Sequence, residues 1–282
     1  MYTTLIGTRD LARRIDDADL VVIDCRFELA RPAWGAGAYH DGHVPGALYA
    51  HLDRDLSGPV TAATGRHPLP AREHFARSAA DWGIDESAQV VAYDQGNGMF
   101  AARLWWLLRW HGHARVAVLD GGLTAWLDAG LALSREPALR ASRPFVPRAP
   151  LGDALETADV VRELDAGRIR LVDARASDRF AGENETIDPV AGHVPGAVNH
   201  PFIGNLDASG RFLEPGALSR HWHDTLGGHP ASSVVAMCGS GVSACHNLLA
   251  LEHAGLRGAR LYAGSWSEWI RDPARPSATG SG

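Results

Sequence analysis

Short runs of apolar, mostly β-branched residues recur along the chain. They alternate with longer stretches in which apolar positions return every three or four residues. In the first half the runs at 20–24 (Leu-Val-Val-Ile-Asp), 89–93 (Gln-Val-Val-Ala-Tyr) and 116–119 (Val-Ala-Val-Leu) predict buried strands. The spacing between and after them predicts helices over 72–82, 99–111 and 122–129. The second half repeats the scheme, with strands near 170–173, 233–237 and 259–262. Such alternation predicts an α/β fold in which a parallel sheet is covered by helices on both faces. Ligands of these sheets bind at the carboxyl ends of the strands.

The two halves also echo each other in detail. Gly42-His43-Val44-Pro45-Gly46-Ala47 returns 150 residues later as Gly192-His193-Val194-Pro195-Gly196-Ala197. Asp24 and Arg26 match Asp173 and Arg175, and Gly121-Gly122-Leu123-Thr124-Ala125-Trp126 parallels the segment from Gly264 to Trp269. A period this long is the size of a domain, not of a solenoid repeat. The expected organisation is a domain over 1–135, a Pro- and Arg-rich linker over 136–156, and a second domain of the same fold over 157–282. Val90 to Asp94 aligns with Val234 to Cys238, so Asp94 stands where the second half has a cysteine. A carboxylate supplies no sulfur nucleophile, and the first domain is expected to be inactive but intact.

Composition narrows the function. With 282 residues, 45% hydrophobic, 21% charged and a formal charge of −6, the chain reads as a soluble globular protein. It offers no basic surface for nucleic acid and no apolar run of the ~18 residues that a membrane span needs. No basic segment followed by an apolar one opens the sequence, and Cys25, Cys238 and Cys245 form no C-x-x-C pair. Both features point to a reducing cytoplasm. Lysine is absent, which excludes a Schiff-base lysine and leaves arginine or backbone amides to hold anions. The 14 histidines are scattered without tetrahedral-site spacing, so neither a metal nor a cofactor is expected.

Cys238 is the chemically distinctive position. It follows the run Val234-Val235-Ala236-Met237 and precedes Gly239-Ser240-Gly241-Val242-Ser243, after which Ala244, Leu248 and Leu251 line one helical face. Gly239 and Gly241 are free to take positive φ. A thiol between a strand and a helix N-terminus faces unpaired backbone N–H groups, which favour an anion there. The same local pattern also fits a buried structural cysteine, since free cysteines are among the most buried residues.

Taken together, the repeated Gly-His-Val-Pro-Gly-Ala segments, the Cys-Gly-Ser-Gly-Val-Ser-Ala loop at 238–244 and the closing Gly264-Ser265-Trp266-Ser267-Glu268-Trp269 make the chain resemble the two-domain rhodanese and 3-mercaptopyruvate sulfurtransferase family, over nearly its whole length. The resemblance implies two tandem rhodanese-like domains and a monomer. It also implies that Cys238 takes sulfur from a donor, becomes a persulfide and passes the outer sulfur to thioredoxin, a small thiol or cyanide. In the loop, Gly239, Gly241, Val242 and Ser243 are then substrate-binding positions whose backbone amides converge on the sulfur.

The thiosulfate type of loop in this family resembles Cys-Arg-Lys-Gly-Val-Thr. Gly239 and Ser240 replace its two cations, which tilts the reading from thiosulfate, a dianion, toward 3-mercaptopyruvate. In the mercaptopyruvate branch the loop serine joins a His and an Asp of the other domain; the matching residues are Ser240, His67 and Asp53, a proton relay in a site shared between domains. Without the resemblance, His67 reads as a solvated loop histidine before a proline. Arg179 matches the family's anion-binding arginine, while the branch's second substrate arginine has no counterpart and the stretch from Glu183 to Pro189 is acidic instead. Thiosulfate:cyanide sulfur transfer and a non-catalytic regulatory module are the alternatives. Phosphatase chemistry, which places an arginine six residues after the cysteine, meets Ala244 there.

Overall fold

Five parallel strands form the first sheet in the computed structural model, which describes residues 1–281. They are β1 (Leu5–Ile6), β2 (Leu20–Asp24), β3 (Leu48–Tyr49), β4 (Gln89–Tyr93) and β5 (Val116–Leu119), in spatial order β1-β5-β4-β2-β3. The second sheet has four, β6 (Arg170–Asp173), β7 (Val198–Asn199), β8 (Val234–Met237) and β9 (Arg260–Leu261), in order β7-β6-β8-β9, again all parallel. Every residue of β2, β4, β5 and β8 is buried, as expected of continuous apolar runs between helical layers. The strands expected from the apolar runs are present in both halves, and the helices Arg72–Asp81, Met99–Trp110 and Gly122–Asp128 fall where the periodicity places them. β1, β3 and β7 have two residues each, too few to carry a period of two. Among the described residues no helix is long and apolar enough to cross a membrane.

Two compact units result. The first comprises Met1–Gly58, Leu69–Leu151 and Ala208–Arg211; the second comprises Pro59–Pro68, Gly152–Asp207 and Phe212–Gly282. The second unit thus takes one segment from the first half of the sequence. Most of the stretch expected as a linker is anchored to the first unit: Arg140 Nη2 donates to Ala18 O at 2.8 Å, Arg143 pairs with Asp85 at 2.9 Å and Arg148 N donates to His111 O at 2.8 Å.

The repeated hexapeptide has the same structural task in both units. Asp24 holds Arg26 through two oxygens and the Nε–Nη2 edge of the guanidinium, and Arg26 Nη2 donates onward to Gly42 O at 2.7 Å. Asp173 holds Arg175 in the same way, and Arg175 Nη2 donates to Gly192 O at 2.8 Å. His43 stacks on Tyr39 at 4.0 Å and His193 on Phe180 at 3.8 Å. Val44 and Val194 are fully buried, and Gly46 and Gly196 make the left-handed turn that follows them. The hexapeptides therefore pin a crossover to the end of the central strand.

At the end of β4, Asp94 is buried where the second unit carries Cys238. Its Oδ1 accepts the N–H groups of Gly96 and Gly98, both at 3.0 Å, and Oδ2 those of Phe100 (2.9 Å) and Ala101 (3.3 Å). Burial pushes this carboxyl up, and the four N–H groups oppose the shift. Asp94 is thus the anion that completes the N-terminus of Met99–Trp110. Asp94→Ala, which leaves those donors buried and unpaired, is expected to cost about 3 kcal/mol or more, and Asp94→Asn, which keeps one acceptor oxygen, clearly less. Urea unfolding of the two variants checks this; equal stability of Asp94→Ala and wild type would remove the capping role.

Candidate active site

Cys238 immediately follows β8, and the helix Ser243–His253 begins five residues later. The thiol is 2% exposed. The backbone N–H groups of Ser240 and Gly241 donate to its Sγ at 3.4 and 3.1 Å. Ser265 Oγ receives the Cys238 N–H at 3.0 Å, and Cys238 O accepts from Trp266 N at 3.0 Å, so the closing Gly-Ser-Trp segment clamps the cysteine backbone from the far side. Gly241 has φ +76°, and a Cβ there would lie 2.5 Å from Ala263 O. Gly239 does not use the left-handed region. A Cβ there would lie 2.8 Å from Arg66 Nη2, the far end of a flexible side chain that can shift to admit it. Val242, buried, precedes the helix and accepts Cys245 N–H at 3.0 Å, and Ser243 opens the helix, half-buried. The other cysteines are structural in setting. Cys245 Sγ donates to Gly241 O at 3.3 Å, and burial with the neighbouring Asp24 pushes the Cys25 thiol well up.

His67 stands 2.7 Å from Ser240 Oγ through its Nδ1 and is buried. It is no solvated loop histidine. Because Pro59–Pro68 packs as part of the second unit, His67, Ser240 and Cys238 all belong to one unit, although His67 precedes Cys238 by 171 residues in sequence. Arg66 N donates to Ser267 Oγ at 3.0 Å, and Arg271 Nε donates to Thr64 O at 3.1 Å, which fixes the segment. Asp53 lies in the first unit, exposed in the short helix Leu52–Asp55, where its N–H donates to His51 Nδ1 at 3.2 Å.

Arg179, on the helix Ser177–Ala181, is turned toward Gly239 and held by acids. Glu185 meets it through both oxygens at 2.9 Å, and Asp188 at 3.2 Å. Asp188 also forms an ion pair with Arg66. Burial would lower the Arg175 guanidinium, but the carboxylates of Asp173 and Glu185 outweigh it and raise it. Arg66 is the site residue that sequence reasoning missed. It neighbours His67 in the chain, but nothing local marks it, since its partner Asp188 is 122 residues away. The acidic stretch from Glu183 to Pro189, which stands where the sequence offers no second substrate arginine, supplies the carboxylates that position both arginines.

Comparison with known proteins agrees with this architecture. The Rhodanese-like domain model matches twice, at residues 8–129 and 156–272. A probable 3-mercaptopyruvate sulfurtransferase of Pseudomonas aeruginosa is 49% identical over 98% of both chains. A putative thiosulfate sulfurtransferase of Mycobacterium tuberculosis is 39% identical over 98% of this chain and 97% of its own. Among solved structures, the 3-mercaptopyruvate sulfurtransferase of Leishmania major superposes with a TM-score of 0.82 at 30% identity, over 96% of this chain and 76% of that one. SseA of Escherichia coli gives 0.81 at 30% identity, over 95% and 100%. With both halves matched by one domain model and relatives aligned end to end, the chain belongs to the two-domain rhodanese and 3-mercaptopyruvate sulfurtransferase family and is an enzyme of the sulfurtransferase class.

Proposed function

We propose that the protein transfers sulfur from 3-mercaptopyruvate, through a persulfide on Cys238, to a thiol or cyanide acceptor. The observation that carries this reading is the 2.7 Å approach of Ser240 Oγ to His67 Nδ1, on the same residue whose N–H reaches the Cys238 sulfur. The two donors differ in what their leaving groups require. When the Cys238 thiolate attacks the sulfur of 3-mercaptopyruvate, the S–S bond forms as the C–S bond breaks. The electron pair stays on carbon as the enolate of pyruvate. That carbon must gain a proton and the donor thiol must lose one, so the step calls for a proton carrier beside the sulfur. Thiosulfate releases sulfite, a stable anion that needs no proton. A serine hydroxyl hydrogen-bonded to an imidazole is suited to the first donor and superfluous for the second.

The amides of Ser240 and Gly241 support the charge on sulfur before and after the attack. In the second half-reaction the acceptor attacks the outer sulfur, the S–S bond breaks and Cys238 leaves as thiolate into the same amides. Arg179 and the loop positions Gly239, Gly241, Val242 and Ser243 form the donor surface in this reading. Asp53, which the resemblance makes the relay's carboxylate, sits in the other unit, and the relay argued here runs from His67 to Ser240. Thioredoxin or a small thiol in a reducing cytoplasm suits a cysteine that must be regenerated as thiolate, with the chain acting as a monomer. Thiosulfate as main donor is the second reading, favoured by the two guanidiniums beside Gly239. The Mycobacterium tuberculosis relative is named for that donor.

Cys238→Ser is expected to abolish turnover with either donor while leaving the thermal midpoint near that of wild type. Mass spectrometry of donor-treated wild type should find the added sulfur on Cys238; sulfur on Cys25 or Cys245 alone would overturn the mechanism. His67→Ala is expected to lower kcat/KM for 3-mercaptopyruvate by roughly 10²–10⁴-fold and that for thiosulfate by less than about tenfold. Side-by-side steady-state assays decide. A wild type that uses thiosulfate far better than 3-mercaptopyruvate, or a His67→Ala variant that loses both donors equally, would sink the donor assignment.

A further inference from the structure

Three charged side chains converge on the space left by Gly239, one residue from the reactive sulfur. A Cβ built on that glycine would lie 2.8 Å from Arg66 Nη2 and 3.7 Å from both Arg179 Nη2 and Asp188 Oδ2. The two guanidiniums are partly open to solvent, at 25% and 18% side-chain exposure, whereas the Asp188 carboxylate beneath them is 2% exposed. Asp188 meets Arg66 through Oδ1 and Arg179 through Oδ2, so one buried carboxylate joins two cations that come from distant parts of the chain.

Charge is balanced around the sulfur. Glu185 neutralises Arg179, and Asp173 neutralises Arg175, which leaves Asp188 to neutralise Arg66. Burial pushes the Asp188 carboxyl up and the neighbouring Glu185 adds to this; the two guanidiniums oppose both. An arriving anion therefore meets two arginine edges already shared with an internal carboxylate. Repulsion between that carboxylate and a bound anion scales with the anion's charge. A dianion feels it twice as strongly as a monoanion, so the penalty on the dianion, as a factor, is the square of that on the monoanion.

We infer that Asp188 is the specificity-determining residue for donor charge: it shares Arg66 and Arg179 with the incoming donor, so that Arg66 completes a two-arginine site for a single carboxylate and dianionic donors are turned away. The inference rests on the sulfurtransferase reading of Cys238 but not on which donor the wild type turns over faster, because it concerns how the two rates change.

The test compares wild type, Asp188→Asn, Asp188→Glu and Arg66→Gln in steady-state assays with 3-mercaptopyruvate and with thiosulfate. Asp188→Asn removes one negative charge at nearly constant shape. It is expected to raise kcat/KM about threefold for 3-mercaptopyruvate and about tenfold for thiosulfate, mainly through KM. Asp188→Glu, which keeps the charge, should keep the wild-type ratio of the two donors, and Arg66→Gln should raise KM for both with the larger rise for thiosulfate. Equal changes for both donors in Asp188→Asn, or no change with the fold retained by circular dichroism, would overturn the inference and leave the sulfurtransferase reading standing. A wild type that turns over neither donor would overturn both. A second measurement needs no variant: pyruvate, a monoanion, should compete with the donor on the wild type at lower concentration than sulfate, a dianion, and the reverse order would overturn the inference even if Asp188→Asn does not fold.

Discussion

Negative charge placed at the carboxyl end of a buried parallel strand, where water is excluded, has to be met by backbone N–H groups. Both units are organised around that requirement. In the first, the carboxylate of Asp94 takes four N–H groups from the loop and first turn of Met99–Trp110. In the second, the sulfur of Cys238 takes those of Ser240 and Gly241 at 3.4 and 3.1 Å. The strand, the small-residue loop and the helix serve the same electrostatic purpose in each. What differs is the group that receives them: a carboxylate that caps a helix, or a sulfur with a bond-forming lone pair. The first unit thus illustrates the physics of the proposed active one: the same loop geometry turns backbone N–H groups toward the side chain at the strand end.

The parts of the fold legible in the sequence are those where one residue type repeats over a few positions. β2, β4, β5 and β8 are continuous apolar runs and were readable to the residue or nearly so, as were the helices whose apolar face recurs every three or four positions. The edge strands β1, β3 and β7 were not, because two residues carry no periodicity. Cys238, Ser240 and the tight turn at Gly241 could be placed because the loop is local and its neighbours in sequence are its neighbours in space. From the sequence, Gly239 reads as a position free to take positive φ. It lies beside Arg66 in the fold, and no local pattern contains that proximity. His67 was recovered only through the family resemblance, since a histidine before a proline on a loop has no local signature of its contact with Ser240.

The repeated Asp–Arg pair explains why the hexapeptides stayed recognisable across 150 residues. A fully buried aspartate and a nearly buried arginine tolerate each other only as a bidentate pair, and each Arg has one further donor to spend on the carbonyl of Gly42 or Gly192. Replacing either partner leaves a buried charge unpaired. The units then diverge just beyond the pair. In the first, Tyr93 Oη donates to Asp24 at 2.7 Å. In the second, the matching Met237 has no hydroxyl, and Arg175 instead turns a spare edge toward Glu185 at 3.5 Å. That exchange links the structural pair of the second unit to the acidic stretch beside the candidate site.

The same logic accounts for the segment Pro59–Pro68, which belongs to the second unit while the chain on both sides of it belongs to the first. Asp188 and Glu185 each have 2% side-chain exposure, and buried carboxylates at that depth are not tolerated without cations. Arg179 and Arg175 are supplied from nearby in sequence and suffice for Glu185. Asp188 needs another, and it comes from Arg66. The residue after Arg66 is His67, so the backbone excursion that satisfies a buried charge also carries an imidazole to Ser240. Neither residue reveals this alone. An arginine on a polar loop and an aspartate in an acidic stretch read as two solvated charges until the fold makes them one pair, and that pair holds His67 in place beside Ser240.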